Sequence, residues 1–176
     1  PNPHPSYAAG QGPWIYIDAG HNNYPAERYK PFVNLLSDDG YRVREISQEF
    51  TALALAECDL LVTVGPLGDS NRGDWAFPHS PAFTRDELEA LFEWIRRGGG
   101  LLYIGDHSPF PAASSDLGTM LGVVMVDGTA RLGRGSGPDV FRRVDGNLTD
   151  HPILCGRSES ERINTVVSFV GMAFQP

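Results

Sequence analysis

The sequence predicts an α/β fold built on a parallel sheet, and three observations carry that reading. Strand-like and helix-like periods alternate from Trp14 to Gly65 in the order strand, helix, strand, helix, strand, which implies parallel strands joined by right-handed crossovers. A helix that starts at Thr84 and stops at Gly98-Gly99-Gly100 runs directly into the apolar strand Leu101-Leu102-Tyr103-Ile104. That strand opens into Gly105-Asp106-His107-Ser108-Pro109, a loop that begins with a carboxylate and an imidazole. Ligands of open parallel sheets bind outside the carboxyl ends of the strands, so the functional edge is expected here. With 176 residues the chain suits one domain, assigned to residues 14–176.

Residues 1–13 hold four prolines among small polar residues and read as a disordered or extended leader. A start without Met is what signal-peptide removal leaves, and also what an arbitrary boundary leaves. The first gives the expectation of a periplasmic or secreted protein. Trp14 to Asp18 is a central strand, and Ala19 to Pro25 is its loop. From Ala26 the period changes, with Tyr29, Phe32, Val33 and Leu36 on one helix face and Gly40 as the stop. Tyr41 to Ile46 alternates like a strand near an edge. Thr51 to Glu57 reads as a short helix, and Asp59 to Gly65 as the third strand. Cys58, just before it, reads as an inert core thiol, and with Cys155 makes too few cysteines for a disulfide scaffold.

Pro66 to Phe83 is a long loop rich in Gly, Pro and Asp that still carries Trp75 and Phe77. Loops of that length are usually functional, and two large aromatics suit a lid or a binding wall. Thr84-Arg85-Asp86-Glu87 is a capping box, Leu88, Leu91, Phe92 and Ile95 form the buried stripe, and Arg96-Arg97 complement the helix dipole. Ala112 to Leu121 reads as a further helix and Val123 to Val126 as a strand. Gly133-Arg134-Gly135-Ser136-Gly137 lacks the strand-to-helix context of a phosphate loop and reads as a linker. Val140 to Val144, turned by Asp145-Gly146, reads as one arm of a hairpin, and Ile163 to Val170 as the last strand. The abrupt end suggests a domain truncated at its C-terminus, with an exposed sheet edge that would favour a homodimer.

Fourteen Lys and Arg against 22 Asp and Glu leave the chain at −8. No basic stripe is present, which argues against nucleic acid and anionic membranes as partners. No apolar run approaches the ~20 residues of a membrane span.

Four stretches carry a family resemblance: Trp14 to Asn23, Gly98 to Phe110, His151-Pro152-Ile153 and Ser168 to Phe174. Together they resemble the DUF4350-like proteins, a bacterial family of unknown function. The glycine-rich helix stop, the strand ending in a His loop and the late His-Pro-Ile are also similar to ThuA-like trehalose-utilisation proteins. Both resemblances imply the class I glutamine amidotransferase-like superfamily: a three-layer, flavodoxin-like sheet with helices on both faces and a site at its C-terminal edge. Glutaminases of that superfamily place a Cys in the turn after the strand matched by Leu101 to Gly105. This chain has Asp106, His107 and Ser108 there, so the resemblance implies the fold and the place of the site without glutamine hydrolysis. Family members run on past Pro176 with another strand and helix, in keeping with the truncated look.

The residues themselves leave the chemistry open. Ser108 is followed by Pro109, which has no N–H for an oxyanion hole, so it is a poor nucleophile and is kept as a substrate contact. Asp106 either caps its loop or acts as a nucleophile. Asp18, His21, Asp106 and His107 are expected to converge, either as acid/base groups with orienting carboxylates or, if a divalent metal is present, as its ligands. Asn22 and Asn23 suit a turn, and as ligand contacts they would face hydroxyl groups such as a sugar's, with Trp75 as a stacking wall. His151 precedes Pro152 and is a turn residue or a peripheral contact, while His4 and His79 receive no role. The expectation is a small-molecule enzyme, hydrolytic or carbohydrate-modifying. The alternative is a non-catalytic ligand-binding or scaffold domain that has lost the superfamily nucleophile.

Overall fold

A computed structural model describes residues 2–23, 26–133, 135 and 137–175. The loop reading at Tyr24 and Pro25 and the linker reading at Arg134 and Ser136 fall outside the described residues. Four parallel strands form the central sheet: β1 (Trp14–Asp18), β2 (Arg42–Ile46), β3 (Leu60–Val64) and β4 (Gly100–Ile104), in the order β2-β1-β3-β4. This is an α/β fold with the start of the flavodoxin-like strand order.

β1 and β3 are apolar apart from Asp18 and Thr63 because helices cover both of their faces. On one face Ile15, Ile17, Val62 and Val64 pack with Phe32 and Leu36, which lie on α1 (Lys30–Asp38). On the other face Tyr16 and Leu61 pack with Leu91 and Leu117, from α2 (Arg85–Arg96) and a later helix. The capping box at Thr84 and Glu87 is formed as the spacing predicts. Phe92 departs from the expected buried stripe and stands 37% exposed. Trp94 packs inward beside Leu88 and Ile95 instead, with its indole N–H donating to the Cys58 carbonyl at 3.1 Å. Gly98, at φ 105°, supplies the left-handed residue that ends α2. Cys58 is buried, and that burial pushes its thiol up to about 12.

Three expected elements differ. Thr51 to Glu57 forms successive turns, with Leu55 N–H on the Thr51 carbonyl and Cys58 N–H on that of Leu55. The helix expected over Ala112 to Leu121 is two short ones, α3 (Phe110–Ala113) and α4 (Ser115–Met120), broken at Ser114. The strand expected at Val123 is β5 (Val124–Ala130), and it leaves the sheet.

β5 pairs antiparallel with β8 (Gly171–Gln175), so β4 remains the outer strand among the described residues. The late hairpin is also present: β6 (Asp139–Arg142) pairs antiparallel with β7 (Thr165–Ser168). Its arms are separated by a long excursion that includes α5 (Pro152–Cys155). The described part of the leader is mostly exposed and is tied to Asp39, whose carboxylate accepts from the Asn2 amide and from the Ser6 N–H and hydroxyl. No helix among the described residues is long and apolar enough to cross a membrane.

Candidate functional site

The site starts where β1 ends. Ala19 N–H donates to the Ile46 carbonyl at 2.8 Å, drawing the β1 loop against the end of β2. Gly20 then passes so close to β2's loop that a Cβ there would sit 2.9 Å from the Ser47 carbonyl oxygen. Only glycine fits, and the tight pass places His21 back under its own strand. Its Nδ1 lies 2.8 Å from Asp18 Oδ1 and its Nε2 lies 2.8 Å from Glu87 Oε1. The ring sits between Phe50 and Phe83, with centroids 4.5 and 4.8 Å away, and His21 is 7% exposed.

The hydrogen bonds around this group favour a charged ring. Asp18 Oδ1 accepts from the Gly20 N–H at 3.0 Å and Oδ2 from the Thr63 hydroxyl at 2.7 Å. Glu87 Oε1 accepts from the Phe50 N–H at 3.1 Å, and Oε2 from the Thr84 N–H and hydroxyl at 2.9 and 2.8 Å. Every carboxyl oxygen faces a donor, an arrangement matched by an N–H at each ring nitrogen. His21 is therefore an imidazolium between two carboxylates. Burial is the largest influence on it and opposes the charge, but hydrogen bonds and charges from Asp18 and Glu87 outweigh burial and hold its pKa above the ordinary value. For Glu87 burial pushes upward, and Thr84 and His21 together hold it below the usual carboxylate range.

Above this triad lies a cleft of about 380 Å³ at the carboxyl ends of β1, β2 and β3. Ser47, Gln48 and Glu49 form one wall, and Pro81 to Thr84 the other. Asn22 and Asp69 stand at its rim: Asn22 is left-handed, at φ 52°, and its amide donates to Asp69 Oδ1 at 2.8 Å and the Leu67 carbonyl at 3.2 Å. The cleft has carboxylates and no Lys or Arg among its described lining residues.

The loop after β4 builds a separate neighbourhood. Asp106 Oδ1 accepts the His107 N–H at 2.8 Å, the capping role open to it from the sequence. His107 Nδ1 lies 2.6 Å from the Ser108 carbonyl oxygen, which can only accept, so Nδ1 carries the hydrogen. Trp75 stands beside it, 47% exposed, with ring centroids 6.0 Å from His107 and 5.4 Å from Phe110.

The expected convergence is thus corrected. Asp18 and His21 meet, Asp106 and His107 meet, and no hydrogen bond, ion pair or ring contact joins the two pairs. Among the described residues no three His, Cys, Asp or Glu side chains gather where a metal ion could be held. The triad fails as a ligand set because His21 lies between its carboxylates, with each nitrogen spent on a different one. Asn23 donates to the Thr63 hydroxyl at 3.4 Å, away from the cleft lining. His151 is exposed and caps α5, its Nδ1 accepting from the Ile153 N–H at 3.2 Å.

Sequence reasoning missed Glu87 as a partner of His21, because the capping box already accounts for it. It also missed His79. The His79 side chain is nearly enclosed, with Nδ1 3.6 Å from Asp127 Oδ2 and Nε2 3.2 Å from the Trp75 carbonyl, so it links the long loop to β5. No local pattern marks that pairing.

Fold and site together define an α/β, flavodoxin-like domain with a polar cleft at the carboxyl ends of its first three strands. No family model matches the sequence, and no curated protein matches it. Among solved structures the chain is similar to one titled mmIFT52 N-terminal domain, with a TM-score of 0.63 and 18% identity over 91% of this chain and 67% of that one. At that identity the likeness concerns the fold alone.

Proposed function

We propose that this chain is a non-catalytic binding domain that takes a small polar ligand, neutral or cationic, in the cleft over His21. The observation that supports this is the triad. The one imidazole in the cleft floor has both nitrogens bonded to carboxylates, and all four carboxylate oxygens are filled, which leaves none of the three triad side chains free to act as acid, base or nucleophile on a ligand. The absence of a cysteine after β4 agrees with it. Glu49, Asp69 and Glu87 among the lining residues disfavour phosphates and other anions. Sugars, polyols and small amines fit the remaining polar surface.

The test is calorimetric titration with a panel of sugars, polyols, small amines and inorganic phosphate. Ser47 is exposed on the cleft wall, so Ser47→Trp should fill the cleft without unfolding the chain. Binders should lose at least about tenfold in affinity in Ser47→Trp and keep it in His107→Ala, and phosphate should not bind. Full retention of affinity in Ser47→Trp by every binder would refute the cleft as the site.

A second reading has one observation in its favour. The hydrogen on His107 Nδ1 is committed to the Ser108 carbonyl, so a neutral ring offers a lone pair at Nε2 beside the exposed face of Trp75. That would suit an acid/base group of a hydrolytic or carbohydrate-modifying enzyme. Turnover of an ester or sugar substrate that disappears in His107→Ala, with an unchanged unfolding midpoint, would replace the first reading with this one.

A further inference from the structure

We propose that His21 is a proton-operated strut: when it loses its charge, the N-terminus of α2 is released and the cleft opens. This concerns the regulation of the cleft described above and rests on that reading for its biological purpose, although the device itself needs no ligand.

The argument is geometric. An imidazolium has two N–H groups and can serve two carboxylates, whereas a neutral ring has one. The contact with Asp18 is the one that survives deprotonation. Asp18 lies three residues away at the start of the same loop, and the Gly20 N–H and Thr63 hydroxyl lock it in place. Nε2 would then turn a lone pair toward Glu87 Oε1 at 2.8 Å, acceptor against acceptor. Glu87 cannot relieve this by taking a proton, because a proton shared between Oε1 and Nε2 is the protonated pair restored and not the state that has lost it. It can only withdraw, and it belongs to the first turn of α2.

That withdrawal moves the cleft walls. Pro81 to Thr84 leads into α2 and forms one wall, while Phe50, bonded to Glu87 through its N–H, ends the segment that forms the other. The groups facing His21 agree in sign. β1 brings Asp18 and α2 brings Glu87. β3 brings the uncharged Thr63 behind Asp18, the two flanking segments bring the rings of Phe50 and Phe83, and the rim adds Asn22, Glu49 and Asp69. These charged groups are all negative, so the proton on His21 is the one favourable charge among them, beside the Phe50 N–H bond to Glu87 and the packing of Phe50 on Phe83.

The sign of the linkage follows. The closed form binds the proton more tightly than the open one, in keeping with the raised pKa of His21, where burial opposes and the two carboxylates prevail. Opening should be independent of pH below the free-ring value of about 6.5. It should increase about tenfold per pH unit from there to the raised value, and level off above it.

The experiment is amide hydrogen exchange on the whole chain between about pH 5.5 and 9.5, corrected for intrinsic rates, beside an NMR titration of the His21 ring. The amides of Phe50, Thr84 and Glu87 should lose protection with the slope given, ending at the His21 midpoint, while α1 amides stay protected. Glu87→Gln offers a side-chain N–H to a neutral Nε2, so in that variant the pH dependence should disappear. Three results would overturn the proposal: His21 titrating while those amides keep their protection, protection lost across the whole chain together, or Glu87→Gln keeping the wild-type midpoint. None of these readouts involves a ligand, so a failure here is separate from a failure of the Ser47→Trp titration.

Discussion

Glu87 stands at the third position of α2, where its Oε2 closes the capping box on Thr84 and its Oε1 reaches beyond the helix to His21 and the Phe50 N–H. The two roles can be separated by mutation. Thr84→Ala removes the hydroxyl half of the cap, a loss of about 1 kcal/mol for such substitutions. Glu87→Ala also takes one anion from a buried cation and leaves the Phe50 and Thr84 N–H groups without their acceptor. Breaking a buried charged pair in this way costs about 3–5 kcal/mol. Urea unfolding near pH 6 should therefore show Glu87→Ala losing several times as much stability as Thr84→Ala, and equal losses would mean that the contact with His21 contributes nothing. The capping box is legible in the sequence because its residues are three apart. The second role is not, since 66 positions separate Glu87 from His21 and the local explanation of Glu87 is already complete.

The loop between β3 and α2 behaves as a folded element because of Asn71. This buried side chain donates through Nδ2 to the carbonyls of Asp74 and Ala76 at 3.1 Å and of Pro78 at 3.4 Å, and its Oδ1 accepts the Ser80 N–H at 2.8 Å. The arrangement holds Trp75 beside His107 and leaves Phe77 81% exposed. Asn71→Ala leaves several of these backbone groups without a partner, each costing about 1–3 kcal/mol where it is buried. Tryptic cleavage after Arg72 should accelerate at least about tenfold in this variant while amides of β1 and β3 keep their protection. An unchanged cleavage rate would show that the loop is held by something else. Length and aromatic content mark this loop as functional in the sequence, but an Asn in a turn has a local reading of its own. The same limit affects the strands. β1, β3 and β4 are legible because their apolar runs are continuous, whereas the pairing of β5 with β8 depends on partners far apart in the chain.

Every buried apolar side chain among the described residues lies between Ile15 and Leu117, so the hydrophobic stabilisation of the molecule resides in the sheet and the helices that cover it. The β5–β8 and β6–β7 pairs add no fully buried side chain: Met125 and Met172 are half-buried, packed beside Gly118 and Gly105, and Phe174 stays 65% exposed. Beside that packing, polar contacts join them to the sheet domain: Ser108 N–H to the Gly128 carbonyl at 2.9 Å, His79 to Asp127, and Arg157 to Asp39 at 3.4 Å. Contacts of that kind hold position but add little stability when they are exposed, and two-stranded pairs are marginal by themselves. The chain should therefore open in two stages. Amides of β6 and β7 should exchange on the order of a hundredfold faster than those of β1 and β3 under native conditions. Asp39→Ala removes the carboxylate shared by Arg157, Asn2 and Ser6, and should speed exchange in β6, β7 and the leader together while β1 and β3 stay at the wild-type rate. Native-state hydrogen exchange resolved by segment measures both. Equal protection across β1, β3, β6 and β7 would mean that the late strands share the cooperative unit of the sheet, with stability drawn from contacts other than core burial.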